Sequence, residues 1–159
     1  MIDAVYPYSN FEKDILEMSG LLLSLILYSE RNKGNSTEFM RIYRIYRERY
    51  NRVSLLKKDG DIEKEINDQL NLYPQEFGFY KSRIKEAIEI LRKFKPPLNE
   101  DYKEEIRKLK NKIMYLHVTL RGFAHEVFEK RVREAELLQN LYYLKKLFQN
   151  SSSSSKPNV

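Results

Sequence analysis

Apolar residues recur at intervals of three and four along most of the chain, which is the spacing of amphipathic helices. This pattern predicts a first helix from Asn10 to Arg31, opened by Ser9 and Glu12 at the spacing of a capping box. Apolar side chains cover almost the whole circumference of this helix, so we expect it to lie at the centre of the fold. A second helix is predicted from Thr37 to Lys58, and Gly60 suits the left-handed residue that closes a helix.

Two further helices are predicted next, the first of them short. Asp61 can cap a third helix, and the pair of prolines in Lys95–Pro97 closes a fourth helix that extends from Pro74 to Phe94. The third helix has an apolar row formed by Ile62, Ile66 and Leu70.

A single heptad register follows, from about Asn99 to Phe148, with no proline in it. Its first seam position falls on Ile106, Ile113, Leu120, Val127, Glu134, Leu141 and Phe148. Its second falls on Leu109, Leu116, Phe123, Lys130, Leu137 and Leu144. A helix of this length either projects beyond a compact domain or breaks, and Gly122 and the polar pair Lys130 and Glu134 mark possible interruptions. That pair is either solvated where the core ends or specifies register with a partner helix.

These elements predict an all-α fold: an antiparallel bundle of four to five helices with a long C-terminal helix. The length of 159 residues suits one domain, which we place at 1–149. The serine-rich segment 150–159 has no apolar periodicity and is predicted to be a disordered tail.

The stretch RIYRIYRERYNR, Arg41–Arg52, interleaves arginine and tyrosine in the text but not on the helix surface. At 100° per residue the tyrosines fall on one side, with the core, and most arginines on the other, where Glu48 can pair with Arg44 and Arg52. Segment 37–58 carries seven basic and two acidic residues. The basic ones are Arg41, Arg44, Arg47, Arg49, Arg52, Lys57 and Lys58. They either bind nucleic acid or an acidic partner, or are covered by the acidic segment 59–68.

Composition excludes several kinds of chemistry. The chain has no cysteine, which excludes disulfides, thiolate metal sites and cysteine nucleophiles. Its net charge of +6 favours phosphate-rich or acidic partners. The apolar run Leu21–Tyr28 is too short to span a bilayer, so we expect a soluble, cytoplasmic protein without a membrane partner. No cofactor or metal site is predicted, and the abundance of charged residues, isoleucine and tyrosine is typical of thermophile proteins.

Arg121 and His125 lie one helical turn apart in the sequence RGFAH. This stretch is similar to the Arg-x4–6-His motif of HEPN ribonucleases, which are also all-helical. The resemblance implies RNA cleavage by these two side chains. However, only three residues separate Arg121 from His125, and both lie off the heptad seam. We therefore predict that the protein is not an enzyme.

Three functions remain as hypotheses. The first is a non-catalytic helical protein of a nucleic-acid-associated assembly, which binds RNA or DNA, or docks on a nucleic-acid-processing enzyme, through the basic face of the second helix. The second is a self-assembling virion or scaffold protein, a homo-oligomer that associates through Leu137, Leu141, Leu144 and Phe148 in a coiled coil. The third is a HEPN-like ribonuclease.

Overall fold

The computed structural model describes residues 10–30 and 36–154, and over these residues it contains helices and no strand. The all-α prediction is confirmed, and the long C-terminal helix is present. Seven α-helices are described, together with a 3-10 helix at Gln75–Tyr80. The α-helices are α1 (Asn10–Glu30), α2 (Ser36–Arg52), α3 (Ser54–Lys57), α4 (Glu63–Leu70), α5 (Lys81–Lys93), α6 (Tyr102–Lys108) and α7 (Lys110–Ser154).

The chain divides into two compact units. The described residues of the larger unit are 10–30 and 36–125, and those of the smaller unit are 126–154. Helix α7 contributes to both, with its first sixteen residues in the larger unit. The antiparallel arrangement of the helices remains a prediction.

Helix α1 forms the centre of the larger unit, as its wide apolar face predicts. It packs against α2, α3, α5 and α6. Ile15, Met18, Leu22 and Leu25 are completely buried along its length. Their position at intervals of three and four is what allows one helix to contact neighbours on several sides.

Aromatic rings fill the space between α1, the 3-10 helix and α7. The ring of Phe123 is completely buried, and its centroid lies 5.0 Å from that of Tyr80 and 5.8 Å from that of Phe77, both edge-on. Tyr73 and Phe11 complete the cluster at 5.9 and 6.3 Å. Such offset and edge-to-face contacts add to the stabilisation that burial alone gives.

The prediction of one continuous second helix is wrong, because the helix breaks at Val53 and a separate helix, α3, begins at Ser54. Val53 is extended and completely buried. The carboxylate of Asp14 in α1 accepts hydrogen bonds from the Leu55 amide at 3.1 Å and from the Ser54 hydroxyl at 2.5 Å. A side chain forty residues earlier in the chain thus satisfies donors at the start of α3.

The region around α4 and α5 agrees with the prediction in part. Gly60 has a φ of 76°, but it lies in the loop after α3, whose C-cap is the extended residue Lys58. The Glu63 amide donates to the Asp61 carboxylate at 2.9 Å at the start of α4, whose N-cap is Ile62 and not Asp61. Ile66 is completely buried on the predicted face. The helix predicted from Pro74 is a 3-10 helix over its first turns and becomes α-helical only at Lys81.

The predicted C-terminal rod is broken at Leu109, not at Gly122 or Lys130. Helix α7 then continues for 45 residues without interruption. It includes Asn150 to Ser154, the first part of the segment predicted as a tail. Residues 155–159, the capping residue Ser9 and the predicted helix end Arg31 lie outside the described residues.

Candidate nucleic-acid interface

Helix α2 separates its aromatic and basic side chains, as the helical spacing predicts. Tyr46 and Tyr50 are buried, and the Tyr46 hydroxyl donates to the Phe94 carbonyl oxygen at 2.6 Å. Burial raises the pKa of both phenols. Tyr43 is half-buried. Because the two fully buried rings are inaccessible, they cannot stack on bases.

Three cations of this region have no carboxylate partner among the described residues: Arg44, Arg47 and Lys57. All three are exposed. The Arg47 guanidinium lies over the ring of Tyr43, 5.9 Å from its centroid. Here we call the exposed arginines Arg41, Arg44, Arg47 and Arg52 of α2 the basic face. The predicted pairing of Glu48 with Arg44 and Arg52 is absent from this part of the structure.

The remaining arginines of α2 are partly compensated. Arg41 pairs with Glu38 at 3.2 Å. A single carboxylate, that of Glu17 in α1, lies 3.7 Å from Arg49 and 3.6 Å from Arg52. One negative charge shared by two guanidinium groups leaves net positive charge at this edge of the basic face. Glu17 could not be recognised from the sequence as a partner of these arginines, because nothing in its local pattern indicates which helix it faces.

Gly20 in α1 makes room for one of these arginines. A Cβ atom at Gly20 would lie 2.3 Å from Nη1 of Arg49. The guanidinium of Arg49 therefore rests against the α1 backbone, and its side chain is only 41% exposed. Arg49 consequently belongs to the packing between the two helices more than to the open surface.

The acidic segment 59–68 does not cover the basic face. Glu65 pairs with Lys58 at 2.7 Å, whereas Glu63 pairs with Lys81 at 3.0 Å and with Lys85 at 3.4 Å. Hydrogen bonds from these lysines lower the pKa of both carboxyls. Of the seven basic residues singled out in the sequence, only Lys58 is neutralised by this segment in the described structure.

The two histidines lie in different surroundings. His117 is buried, and its Nδ1 lies 2.9 Å from the Ser19 carbonyl oxygen and 2.8 Å from the Ser19 hydroxyl. The carbonyl can only accept, so Nδ1 carries the proton and the pair joins α1 to α7. Arg121 and His125 are both exposed on α7. Among described residues no cluster of histidine and carboxylate side chains could hold a metal ion.

The heptad seam of α7 changes character along the helix. Ile113, Leu116, Leu120, Phe123 and Val127 are completely buried. The four later apolar positions are exposed: Leu137 by 59%, Leu141 by 52%, Leu144 by 62% and Phe148 by 79%. Lys130 and Glu134, which lie between the two groups, are half-buried. The residues predicted for self-association are therefore accessible.

Comparison with protein-family models, with curated proteins and with solved structures found no significant match to this chain. None of the helices in the described residues combines the length and the apolar character needed to cross a membrane.

Proposed function

We propose that this protein is a non-catalytic component of a nucleic-acid-associated assembly and binds the phosphate backbone of nucleic acid through the basic face of α2. The observation that carries the proposal is that Arg44 and Arg47 are exposed with no carboxylate partner in the described structure. The acidic segment 59–68 pairs instead with Lys58, Lys81 and Lys85.

The residue types favour phosphate over an acidic protein surface. Five of the seven basic residues in this region are arginines, whose planar guanidinium groups match phosphate oxygens with two parallel hydrogen bonds. Protein interfaces depend instead on buried apolar anchors. Met40 is the one large apolar side chain among the exposed residues of described α2. The face is therefore rich in charge and poor in anchors.

The burial of the tyrosines favours a duplex over a single strand. Single-strand binders combine cations with aromatic rings on which bases stack, but Tyr46 and Tyr50 point into the core. Duplex DNA offers about one charge per 1.7 Å of axis. From Arg41 to Arg52 the face extends about 16 Å at 1.5 Å per residue. Binding should therefore be independent of base sequence and stronger for a duplex.

The test is a fluorescence anisotropy titration of labelled duplex DNA with the full chain and with the double variant Arg44→Glu, Arg47→Glu. Each phosphate contact contributes a factor of about eight to affinity at 0.1 M salt. Loss of two contacts should weaken binding about 60-fold. The charge-matched control is Lys64→Glu, Lys108→Glu, which reverses two exposed lysines of α4 and α6.

The control variant should bind within about two-fold of the original chain, since it reverses charges away from the basic face. Equal weakening by both variants would mean that net charge, not the basic face, causes binding, and the proposal would be wrong. Absence of duplex binding by the original chain at low salt would also contradict it. RNA cleavage that disappears in His125→Ala would replace it with the HEPN hypothesis.

A further inference from the structure

The exposed part of the α7 seam is a narrow apolar stripe within the smaller unit. At 100° per residue, Leu137, Leu141, Leu144 and Phe148 fall within about 60° of one another. Their exposure of 52–79% contrasts with the complete burial of the same heptad positions up to Val127. A stripe this narrow with strict heptad spacing is typical of a helix that pairs with one other helix.

We propose that a second copy of this chain covers the stripe, with its α7 antiparallel to the first. In the register that aligns Leu141 with Leu144 of the second copy, Leu137 lies opposite Phe148 of that copy. Two-fold symmetry repeats both contacts, which gives four consecutive apolar layers. This pairing is independent of the basic face of α2.

The charged residues at the ends of the stripe favour this direction over a parallel one. In a parallel pair in register, Glu134 would face Glu134 of the second copy and Lys130 would face Lys130, both at seam positions. In the antiparallel pair Glu134 faces Ser151 of the second copy. Like charges are thus kept apart.

The size of the stripe indicates a weak dimer. Leu147, which is 60% exposed, flanks the four seam residues. Five large side chains with roughly 100 Å² of accessible surface each give about 500 Å² per chain. Two chains would then bury about 1,000 Å², at the lower end of the range for specific interfaces. We therefore expect a dissociation constant on the order of micromolar and an equilibrium that depends on protein concentration.

Disulfide trapping tests both the partner and the direction, because the chain has no cysteine of its own. Leu137→Cys and Phe148→Cys are prepared separately and then oxidised alone and as a mixture. A disulfide needs Cα atoms within about 7 Å. In the antiparallel register two cysteines at position 137 would be about 16 Å apart along the axis. Each variant alone should therefore stay uncrosslinked, and the mixture should form a covalent dimer.

A covalent dimer from either variant alone, at the yield of the mixture, would indicate parallel pairing and overturn the proposal. Absence of crosslinking in the mixture at about 300 µM, far above a micromolar dissociation constant, would overturn it too. Two variants at equally exposed positions are compared by sedimentation equilibrium, because the side chains of Leu144 and Tyr143 are exposed by 62% and 60%. Leu144→Glu should abolish the dimer, and Tyr143→Glu, on another side of the helix, should keep it. Duplex binding by monomeric Leu144→Glu would show that the two proposals stand separately.

Discussion

The substitution Phe123→Ala tests the account of the core most sharply. The ring is completely buried and is surrounded by four aromatic neighbours, with centroids 5.0 to 6.3 Å away. Truncating a buried phenylalanine to alanine costs about 3–5 kcal/mol of unfolding free energy. Four rigid rings cannot collapse fully into the space, so we expect a loss of about 4–5 kcal/mol. At this chain length the melting temperature should fall by roughly 8–20 °C.

The matched control is Phe148→Ala, the same change in the same helix at a side chain that is 79% exposed. Its effect on unfolding free energy should stay within about 0.5 kcal/mol. Both variants are measured by urea denaturation followed by circular dichroism, at low protein concentration so that association does not contribute. Equal losses in the two variants, or a loss under about 1 kcal/mol for Phe123→Ala, would refute the division of the α7 seam into a buried and an exposed part.

Three other predictions follow from single contacts. Tyr46→Phe leaves the Phe94 carbonyl oxygen without its donor and should cost about 1–3 kcal/mol of unfolding free energy, whereas Tyr142→Phe, at a ring that is 53% exposed, should change nothing measurable by urea denaturation. Glu17→Gln releases two arginines from their shared carboxylate, so duplex affinity measured by anisotropy should rise by up to about eight-fold; unchanged or weaker binding would contradict the open face. Burial raises the pKa of Tyr28 to about 12 in the folded state, whereas an unfolded tyrosine titrates near pH 10. The contribution of the neutral phenol to the unfolding free energy is therefore fully present below about pH 10. The urea midpoint should therefore fall as pH rises from about 10 towards 12, and Tyr28→Phe should reduce that fall.

Regular spacing made most of the helices predictable. Apolar residues recur every three or four positions in the rows that include Ile66 in α4 and Ile15 in α1. The burial of these side chains follows directly from that spacing. The positive φ of Gly60 was predictable because few other residue types adopt it, although the residue lies in the loop between α3 and α4 and does not close a helix.

The two helix breaks were not predictable from local pattern. Val53 and Leu109 are apolar residues with neither proline nor glycine beside them. The first break depends on Asp14, which caps α3 across the space between helices. Gly122, in contrast, was predicted as a possible break, but α7 continues through it. Glycine weakens an isolated helix and is tolerated inside α7. A Cβ atom there would lie 3.9 Å from the Tyr80 hydroxyl, an ordinary contact distance.

The arrangement of side chains around α2 was predictable, but their ion-pair partners were not. The helical wheel separated the tyrosines from the arginines of α2 correctly. Whether those arginines have carboxylate partners depends on which helices lie near Glu17 and Glu63. Ion pairs between helices cannot be recognised from local sequence. The sequence therefore left the covered and the open interpretations equally possible, and the ion-pair geometry favours the open one.

The salt dependence of duplex binding shows whether the basic face of α2 contacts phosphate groups. If Arg44 and Arg47 each contact a phosphate, log Kd plotted against log salt concentration should rise with a slope of about 1.8, or roughly 12-fold weaker binding between 50 and 200 mM salt. A slope near zero, or no binding at 50 mM salt, would show that the basic face of α2 is not a phosphate-binding surface.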